Sequence, residues 1–406
     1  MTHYTPSAHT GQWLFTFLLC MSGFIAQANE SPKVETDSCD FVKASLIVST
    51  PTDIIYSSLG HCALRMECPS EQLDYCFSLE TNTQPGDYVK FFSGDADAAV
   101  RAIPTAIFMD AFQKEGRGIM QYELNLTLHE KQLLWKNLDE EMVRPPHLKF
   151  NFLNTNCVMM VIVMIKNALI NEHLNYGHLP TYATGRNGDG MRYLTQTTPW
   201  YQFIYITLAG SICDDHYELE YRMTPMAVVD IFNNSEIVSA DNTRRSLFKN
   251  QPTELVHQTY YPSSSPITPR VFFSILLAIV IFITLGEWLW GWQKAARITD
   301  IVLLTTQFLV GLFLSYTSMV SNLFPAKWNW YLIPCNPVPL ILLLCLGKKR
   351  AFGIIYLVYT VILVIFILST PLSSQLDTDH LLFVAILAIR TLSKYMSYLM
   401  KKRKSQ

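Results

Sequence analysis

Five apolar segments follow one another in the C-terminal third of the chain: Val271–Trp292, Ile298–Ser321, Ile333–Leu346, Ala351–Thr370 and Leu381–Met400. A helix that crosses a bilayer needs about 20 apolar residues, and four of the five are long enough. The third is short and begins among Pro334, Pro337 and Pro339, which predicts a tilted, broken or re-entrant passage. Lys294 and Arg297 follow the first segment, Lys348-Lys349-Arg350 the third and Lys401-Lys402-Arg403-Lys404 the fifth, whereas the alternate loops hold only Lys327. Basic loops stay in the cytoplasm, so this pattern predicts five spans with Asn29–Arg270 on the outer side. Only 16% of residues are charged, against about 25% in soluble chains, which excludes a disordered or wholly soluble protein. A net charge of −2 leaves no global basic field, so nucleic acid is excluded as a partner.

The rest of the chain divides by composition. Trp13–Ala26 is apolar and ends in Ala26-Gln27-Ala28, a signal-peptidase pattern, so residues 1–28 read as a signal peptide. Residues 29–251 form an outward soluble domain. Residues 252–270, with Pro252, Pro262, Pro266 and Pro269 among serines, read as a linker. Residues 271–400 form the membrane domain and 401–406 a basic cytoplasmic tail. The nine cysteines show neither CxxC nor Cys/His zinc spacing, so neither metal nor cofactor is expected. In an oxidising compartment some may pair, Cys39 with Cys213 or Cys68 with Cys76, but spacing leaves the connectivity open. The absence of G-x-x-x-x-G-K, G-x-G-x-x-G, G-x-S-x-G and H-E-x-x-H argues against NTPases, dinucleotide enzymes, serine hydrolases and zincins. Thr127-Leu128-His129-Glu130 reads as a structural capping box opening a helix over 128–142.

Two stretches carry chemistry. In Leu46–Met66, β-rich runs flank Pro51-Thr52-Asp53, and His61 follows Gly60 at a strand start. Alternation puts His61, Ala63 and Arg65 on one face and Cys62, Leu64 and Met66 on the other. In Phe150–Ile170, Asn154-Thr155-Asn156 supplies N-cap residue types directly before Cys157, and Val158–Ile165 is apolar on every face. A thiol in the first turn of a buried helix meets the positive end of the dipole and unpaired N–H groups, which favour thiolate and offer an oxyanion site. A thiolate nucleophile needs an imidazole to take and return its proton, and a third group to orient that imidazole. On the next strand-like stretch Asp74, Ser78 and Glu80 share a face, and the pattern does not choose between them. Each reading has a plain alternative: a strand-start histidine is often structural, and a free thiol is often a small buried hydrophobe.

A histidine before a cysteine that opens a helix resembles the circularly permuted branch of the NlpC/P60 papain-like superfamily. More closely, the chain resembles the Lnb family, associated with lipoprotein N-acylation. That family's first motif, approximately S-P-G-D-x-x-Y-S-x-F-G-H-x-A-L-R, is matched by Thr50-Pro51-Thr52-Asp53, Tyr56-Ser57, Gly60-His61 and Ala63-Leu64-Arg65. Its Y-D-N-C motif appears as Asn154-Thr155-Asn156-Cys157, and Pro199-Trp200, the Gly210 and Asp214 region, Trp328-Asn329-Trp330 and Asn336-Pro337 match later landmarks. Where family members often have Asn-Tyr-Gly, this chain has Ser78-Leu79-Glu80, which leaves the third catalytic residue open.

The resemblance implies an α+β papain-like periplasmic domain of permuted NlpC/P60 type, followed by an all-α bundle of about five transmembrane helices in a bacterial inner membrane. It implies an acyltransferase in which Cys157 is the nucleophile and His61 the acid and base. Asp74, Ser78, Glu80 and Asn156 are the orienting or oxyanion candidates. A membrane phospholipid would be acyl donor and a diacylglyceryl-cysteine lipoprotein acceptor. The outward loop bearing Phe324, Trp328, Trp330 and Tyr331 is a candidate acyl-chain entrance. Two other readings remain: a hydrolase of phospholipid or cell-wall peptide on the same scaffold, which predicts an open polar groove if its substrate is a peptide, and a non-enzymatic scaffold or sensor, which predicts the thiol far from the imidazole.

Overall fold

The computed structural model describes residues 43–81, 88–145, 148–216, 219, 223–262, 265–324, 326, 328–336, 338–345 and 352–403. The expected signal peptide, Cys39 and the basic cluster at 348–350 lie outside these residues. The soluble part opens with β1 (Lys43–Ser49), β2 (His61–Cys68) and β3 (Leu73–Thr81), then α1 (Tyr88–Ser93), β4 (Asp97–Pro104), α2 (Thr105–Lys114), β5 (Ile119–Glu123), α3 (Leu128–Val143) and β6 (Leu148–Lys149). There follow α4 (Cys157–Ala168), β7 (Glu172–Asn175), α5 (Asn187–Leu194), α6 (Pro199–Ala209), α7 (Pro225–Phe232), β8 (Glu236–Ser239), β9 (Arg244–Ser246) and β10 (Thr253–Val256). Seven strands form an antiparallel sheet in the order β10-β5-β1-β2-β3-β4-β6, and β7-β8-β9 form a second, smaller one.

Strand alternation gives the large sheet two buried faces. On one, Ile47, Ala63, Cys76 and Ile119 pack against Phe108 of α2. On the other, Phe77 meets Trp135 of α3 edge-on at 5.4 Å, and α4 lies across β2 and β3. The capping box forms as expected: Thr127 Oγ1 accepts from Glu130 N (3.3 Å), and Thr127 N donates to Glu130 Oε2 (2.7 Å). The expected linker is different at its start. Thr-Glu-Leu-Val between Pro252 and the later prolines forms β10, which adds to the edge of the large sheet on β5, because proline punctuates a run without preventing four intervening residues from pairing. Neither cysteine pairing is present: Cys76 keeps its thiol against Thr105 Oγ1 at 3.5 Å, and Cys213 is a buried thiol.

Helices occupy each of the five apolar segments: α8 (Pro269–Leu289), α9 (Gln293–Met319), α10 (Val338–Cys345), α11 (Phe352–Leu368) and α12 (Thr378–Arg403). Among the described residues three of them, α8, α9 and α12, are long and apolar enough to cross a membrane. Within the described residues the third segment is represented by α10, preceded by a 3-10 turn at Trp330–Leu332. Lys401–Arg403, expected in a separate tail, continue α12.

Two polar systems tie this bundle. At the end remote from the sheet, Arg390 of α12 donates to Asp300 of α9 (2.7 Å), to Glu287 of α8 (3.0 Å) and to Thr284 (2.7 Å), and Lys394 reaches Asp300 at 2.6 Å. At the sheet end, Asn329 Nδ2 donates to Thr207 O (2.7 Å) and Gln375 Nε2 to Ile206 O (3.3 Å), so two membrane-side amides occupy carbonyls of the last turn of α6. Ser211 N donates to Trp328 O at 2.6 Å. Gly210 is required there. Its φ is +55°, and a Cβ would sit 2.5 Å from Trp328 O. The later family landmarks are thus mostly the joint between the two parts of the protein.

Removing one member of a buried charge cluster strands its partners, at a cost of about 3–5 kcal/mol. Arg390→Ala is therefore expected to lower the thermal midpoint of the detergent-solubilised protein sharply. Arg270→Ala, which breaks a pair whose arginine is 65% exposed, is expected to cost under about 1 kcal/mol. Equal shifts for the two variants would refute this account of the bundle.

Candidate active site

The start of α4 is built by asparagines. Asn151 Oδ1 accepts from Leu153 N (2.9 Å) and Asn154 N (2.7 Å), turning the chain into the helix. Asn156 is the N-cap: its Oδ1 accepts from Met159 N at 3.0 Å and its Nδ2 donates to Phe152 O at 3.2 Å. Cys157 is consequently the first helical residue, as expected. The Asn156 amide is engaged in this cap through Oδ1 and one Nδ2 hydrogen, and the residue also lines the cavity onto which Cys157 opens. With Met159 N capped and Met160 N bonded to Asn156 O, the N–H groups of Cys157 and Val158 are the open donors of the turn.

Gly60 ends the approach to β2. It has φ +92°, and a Cβ would stand 2.7 Å from Ser49 O, so only glycine lets β1 and β2 close here. His61 follows, paired in register with Ser49. Its Nε2 lies 2.6 Å from Ser78 Oγ and 3.7 Å from Glu80 Oε1 on β3. Its ring stacks on Phe112 at 5.9 Å. Of the three carboxylate or hydroxyl candidates, Ser78 and Glu80 reach the imidazole and Asp74 does not. Asp74 makes a bidentate bond with Arg65 (2.8 Å to each oxygen) and accepts from Thr105 Oγ1 at 2.6 Å. It lies four residues along the strand from Ser78, roughly 13 Å by strand rise.

The thiol and the imidazole meet. Cys157 is held well below the ordinary thiol range, first by the hydrogen bond from the Cys62 side chain, which outweighs burial, and then by the charge and hydrogen bond of His61 and the Cys62 backbone N–H. Burial is the largest influence on His61 and acts downward, but the negative charge and hydrogen bond of Cys157, with the charge of Glu80, raise it overall. Burial and the bond to Cys157 push the Cys62 thiol well up. The arrangement favours a Cys157 thiolate facing a His61 imidazolium, with Cys62 as a neutral donor.

Arg117 is a further nearby cation, 4% exposed. Its Nη2 donates to Ser49 Oγ (2.8 Å) and its Nε to Thr50 O (2.7 Å), and it lies 4.4 Å from the Phe112 ring centre. It holds the end of β1 that seats Gly60 and His61. Sequence reasoning missed both Cys62 and Arg117. Cys62 alternates away from His61 in the strand pattern, so its approach to Cys157 is visible only once α4 is placed. Arg117 lies in no motif.

Cys157 and His61 line a cavity of about 160 Å³. Its walls are mainly apolar: Leu59 beside the histidine, Phe152 and Leu153 ahead of α4, Met191 and Leu194 from α5, and Phe324 from the membrane-side loop. Of the four residues expected at an acyl-chain entrance, only Phe324 lines this cavity. Tyr331 is buried, stacked on His380 at 4.3 Å with its hydroxyl on Gln375 O (2.8 Å). Trp330 is half-buried in the joint, donating its backbone N–H to Gln375, and Trp328 is exposed. Aromatic residues in that loop serve the packing of the joint because Asn329 and Gln375 draw the loop inward. Phe324 stacks on Phe152 at 4.8 Å, and Phe152, Phe91, Phe92 and Phe313 continue edge to face at 5.5–6.0 Å to the exposed face of α9.

Comparison with known proteins came in two matching pieces. Residues 30–188 match the family model described as the Lnb N-terminal periplasmic domain, and residues 262–403 match the Lnb transmembrane domain. No curated protein and no solved structure gives a match. The two models follow one another in chain order and between them take in six of the seven strands of the large sheet, the helix opened by Cys157 and the membrane bundle, so the chain belongs to the Lnb family and is a membrane protein with a periplasmic domain.

Proposed function

We propose that this protein is a lipoprotein N-acyltransferase of a bacterial inner membrane, working through a Cys157 thioester. Membership of the Lnb family suggests a role of this kind. The observation that carries the thiol mechanism is the meeting of Cys157 and His61 at the mouth of an apolar cavity one wall of which comes from the membrane-side loop. The domain is of permuted NlpC/P60 type in this reading, residues 29–256 form the periplasmic part, and all five helical segments belong to the membrane domain, the third as a broken passage.

The Cys157 sulfur attacks the acyl ester carbonyl of a membrane phospholipid. The N–H groups of Cys157 and Val158 receive the negative charge that forms on the carbonyl oxygen. Collapse breaks the ester C–O bond, and His61 gives its proton to the departing lysophospholipid alcohol. The neutral imidazole then takes a proton from the α-amine of a diacylglyceryl-cysteine as that nitrogen attacks the thioester, and the thiolate leaves. Ser78 holds Nε2 in place at 2.6 Å, with Glu80 supplying charge at 3.7 Å. The aromatic series from Phe152 to Phe313 is the acyl route from the bilayer. An apolar cavity favours a lipid donor over a cell-wall peptide, which needs polar partners. Both substrates are anchored in the same membrane, so encounter is two-dimensional and effective concentration replaces tight binding.

Mass spectrometry of lipoprotein N-termini from cells making Cys157→Ser in place of the wild-type protein is expected to show loss of one acyl chain. Unchanged lipoproteins would overturn the proposal. Alkylation by iodoacetamide reports the thiolate, which is present above the lowered Cys157 value and lost as pH falls through it. His61→Gln removes the facing positive charge, so the alkylation midpoint at Cys157 is expected to move up; an unmoved midpoint would sink the ion pair. Ser78→Ala removes a hydrogen bond to the imidazole worth about 1 kcal/mol, or about fivefold in kcat/KM, with lipoprotein acylation kinetics as the readout.

A further inference from the structure

Cys62 is a buried thiol beside the site that the acyl transfer leaves without a covalent role. It follows His61 in β2, is 1% exposed, and points to the face across which α4 lies. Its thiol and its backbone N–H are among the groups that hold the Cys157 thiol low. Cys157 itself opens on the cavity. One sulfur of the pair is therefore reachable from the cavity, and the other is buried on the strand face that α4 covers.

We propose that Cys157 and Cys62 form a reversible disulfide when the site meets a peroxide, making this pair a modification site that suspends acyl transfer and spares the nucleophile from irreversible oxidation. The chemistry rests on Cys157 being a reactive thiolate. Its sulfur attacks a peroxide oxygen, the O–O bond breaks, and a sulfenic acid and hydroxide result: sulfur is oxidised and peroxide reduced. The Cys62 sulfur then attacks the sulfenic sulfur. The S–S bond forms as the S–O bond breaks, and the hydroxyl leaves with the Cys62 proton as water. Overall, two thiols and one hydrogen peroxide give one disulfide and two waters. A dithiol reductant reverses the second product to two thiols. Without Cys62, the sulfenic acid has no thiol to resolve it, and a second peroxide oxidises it to sulfinic acid with release of water, a product dithiols do not reduce.

The remaining described thiols do not offer this arrangement. Cys68 lies against Ser70 Oγ at 3.3 Å, Cys76 faces Thr105 Oγ1, Cys213 lies against a backbone carbonyl, and Cys335 is buried in the membrane-side core. Peptides joined through 62 and 157 are thus the specific signature.

The full-length protein in detergent is treated with three equivalents of hydrogen peroxide, alkylated and digested, and its peptides are mapped by mass spectrometry with and without dithiothreitol. Linked peptides containing Cys62 and Cys157 that separate on reduction are expected in the wild type. In Cys62→Ala and Cys62→Ser, Cys157 is expected to gain two oxygens that dithiothreitol does not remove. Absence of the linked peptide in the wild type, or the same Cys157 products in wild type and variants, would overturn the proposal. The wild-type map does not depend on either variant folding. No acyl donor is present, so the result is independent of whether Cys157 transfers an acyl chain.

Discussion

Two side-chain amides decide where the sheet domain stands over the membrane bundle. Asn329 and Gln375, both fully buried, hold carbonyls of the last turn of α6, and Gln375 Nε2 also donates to Asn329 Oδ1 at 2.9 Å. The last carbonyls of a helix lack intrahelical partners, and burying them unpaired costs about 1–3 kcal/mol each. Because the donors come from the membrane side, that cost is avoided only when the two parts are docked. Docking also brings Phe324 onto Phe152, which closes the cavity wall next to Cys157. The joint therefore completes one wall of a cavity whose other lining residues come from the soluble part.

The thiol is shaped by competing influences of unequal size. Burial disfavours a charged sulfur, and the helix start favours it by about 0.3–1 kcal/mol. Hydrogen bonds to a charged group contribute about 1.5–3 kcal/mol each, so donors rather than the dipole determine the outcome. Cys62 supplies two of them and His61 supplies another together with a charge. Arg117 adds positive potential behind the imidazole while fastening Ser49 and Thr50. The local constraint behind all this is Gly60, whose absent Cβ lets the ends of β1 and β2 meet where a side chain would collide with Ser49 O.

What was legible in the chain is what depends on near neighbours. Asn156 before Cys157 foretold a helix start because an N-cap acts over three residues, and Thr127 with Glu130 did the same for α3. The apolar segments foretold α8 to α12 because hydrophobic length needs no tertiary knowledge. The choice among Asp74, Ser78 and Glu80 was not legible: all share a strand face, and only the placement of Arg65 and Thr105, which claim Asp74, separates them. Nor was the strand at Thr253–Val256, whose partner β5 is more than 100 residues earlier. Trp330 and Tyr331 were expected at an acyl-chain entrance, yet Asn329 of their own loop and Gln375 ahead of α12 hold them in the joint.

The distribution of polar groups along the bundle is itself an argument about what moves through it. A buried cluster of full charges lies at the end remote from the periplasmic domain, where Arg390 and Lys394 balance Glu287 and Asp300. At the sheet end the neutral amides of Asn329 and Gln375 share the fastening with carboxylates, Asp214 accepting from Ser373 Oγ and Ser374 N and Asp379 pairing with Arg270. A buried ion cluster is rigid because any displacement exposes an unpaired charge to a poor solvent, so it suits an end that holds still. Neutral hydrogen bonds cost less to rearrange, and the aromatic series from Phe313 to Phe152 at that end is built of ring contacts. In the proposed transfer, an acyl chain entering there displaces apolar contacts, which its own methylene groups replace.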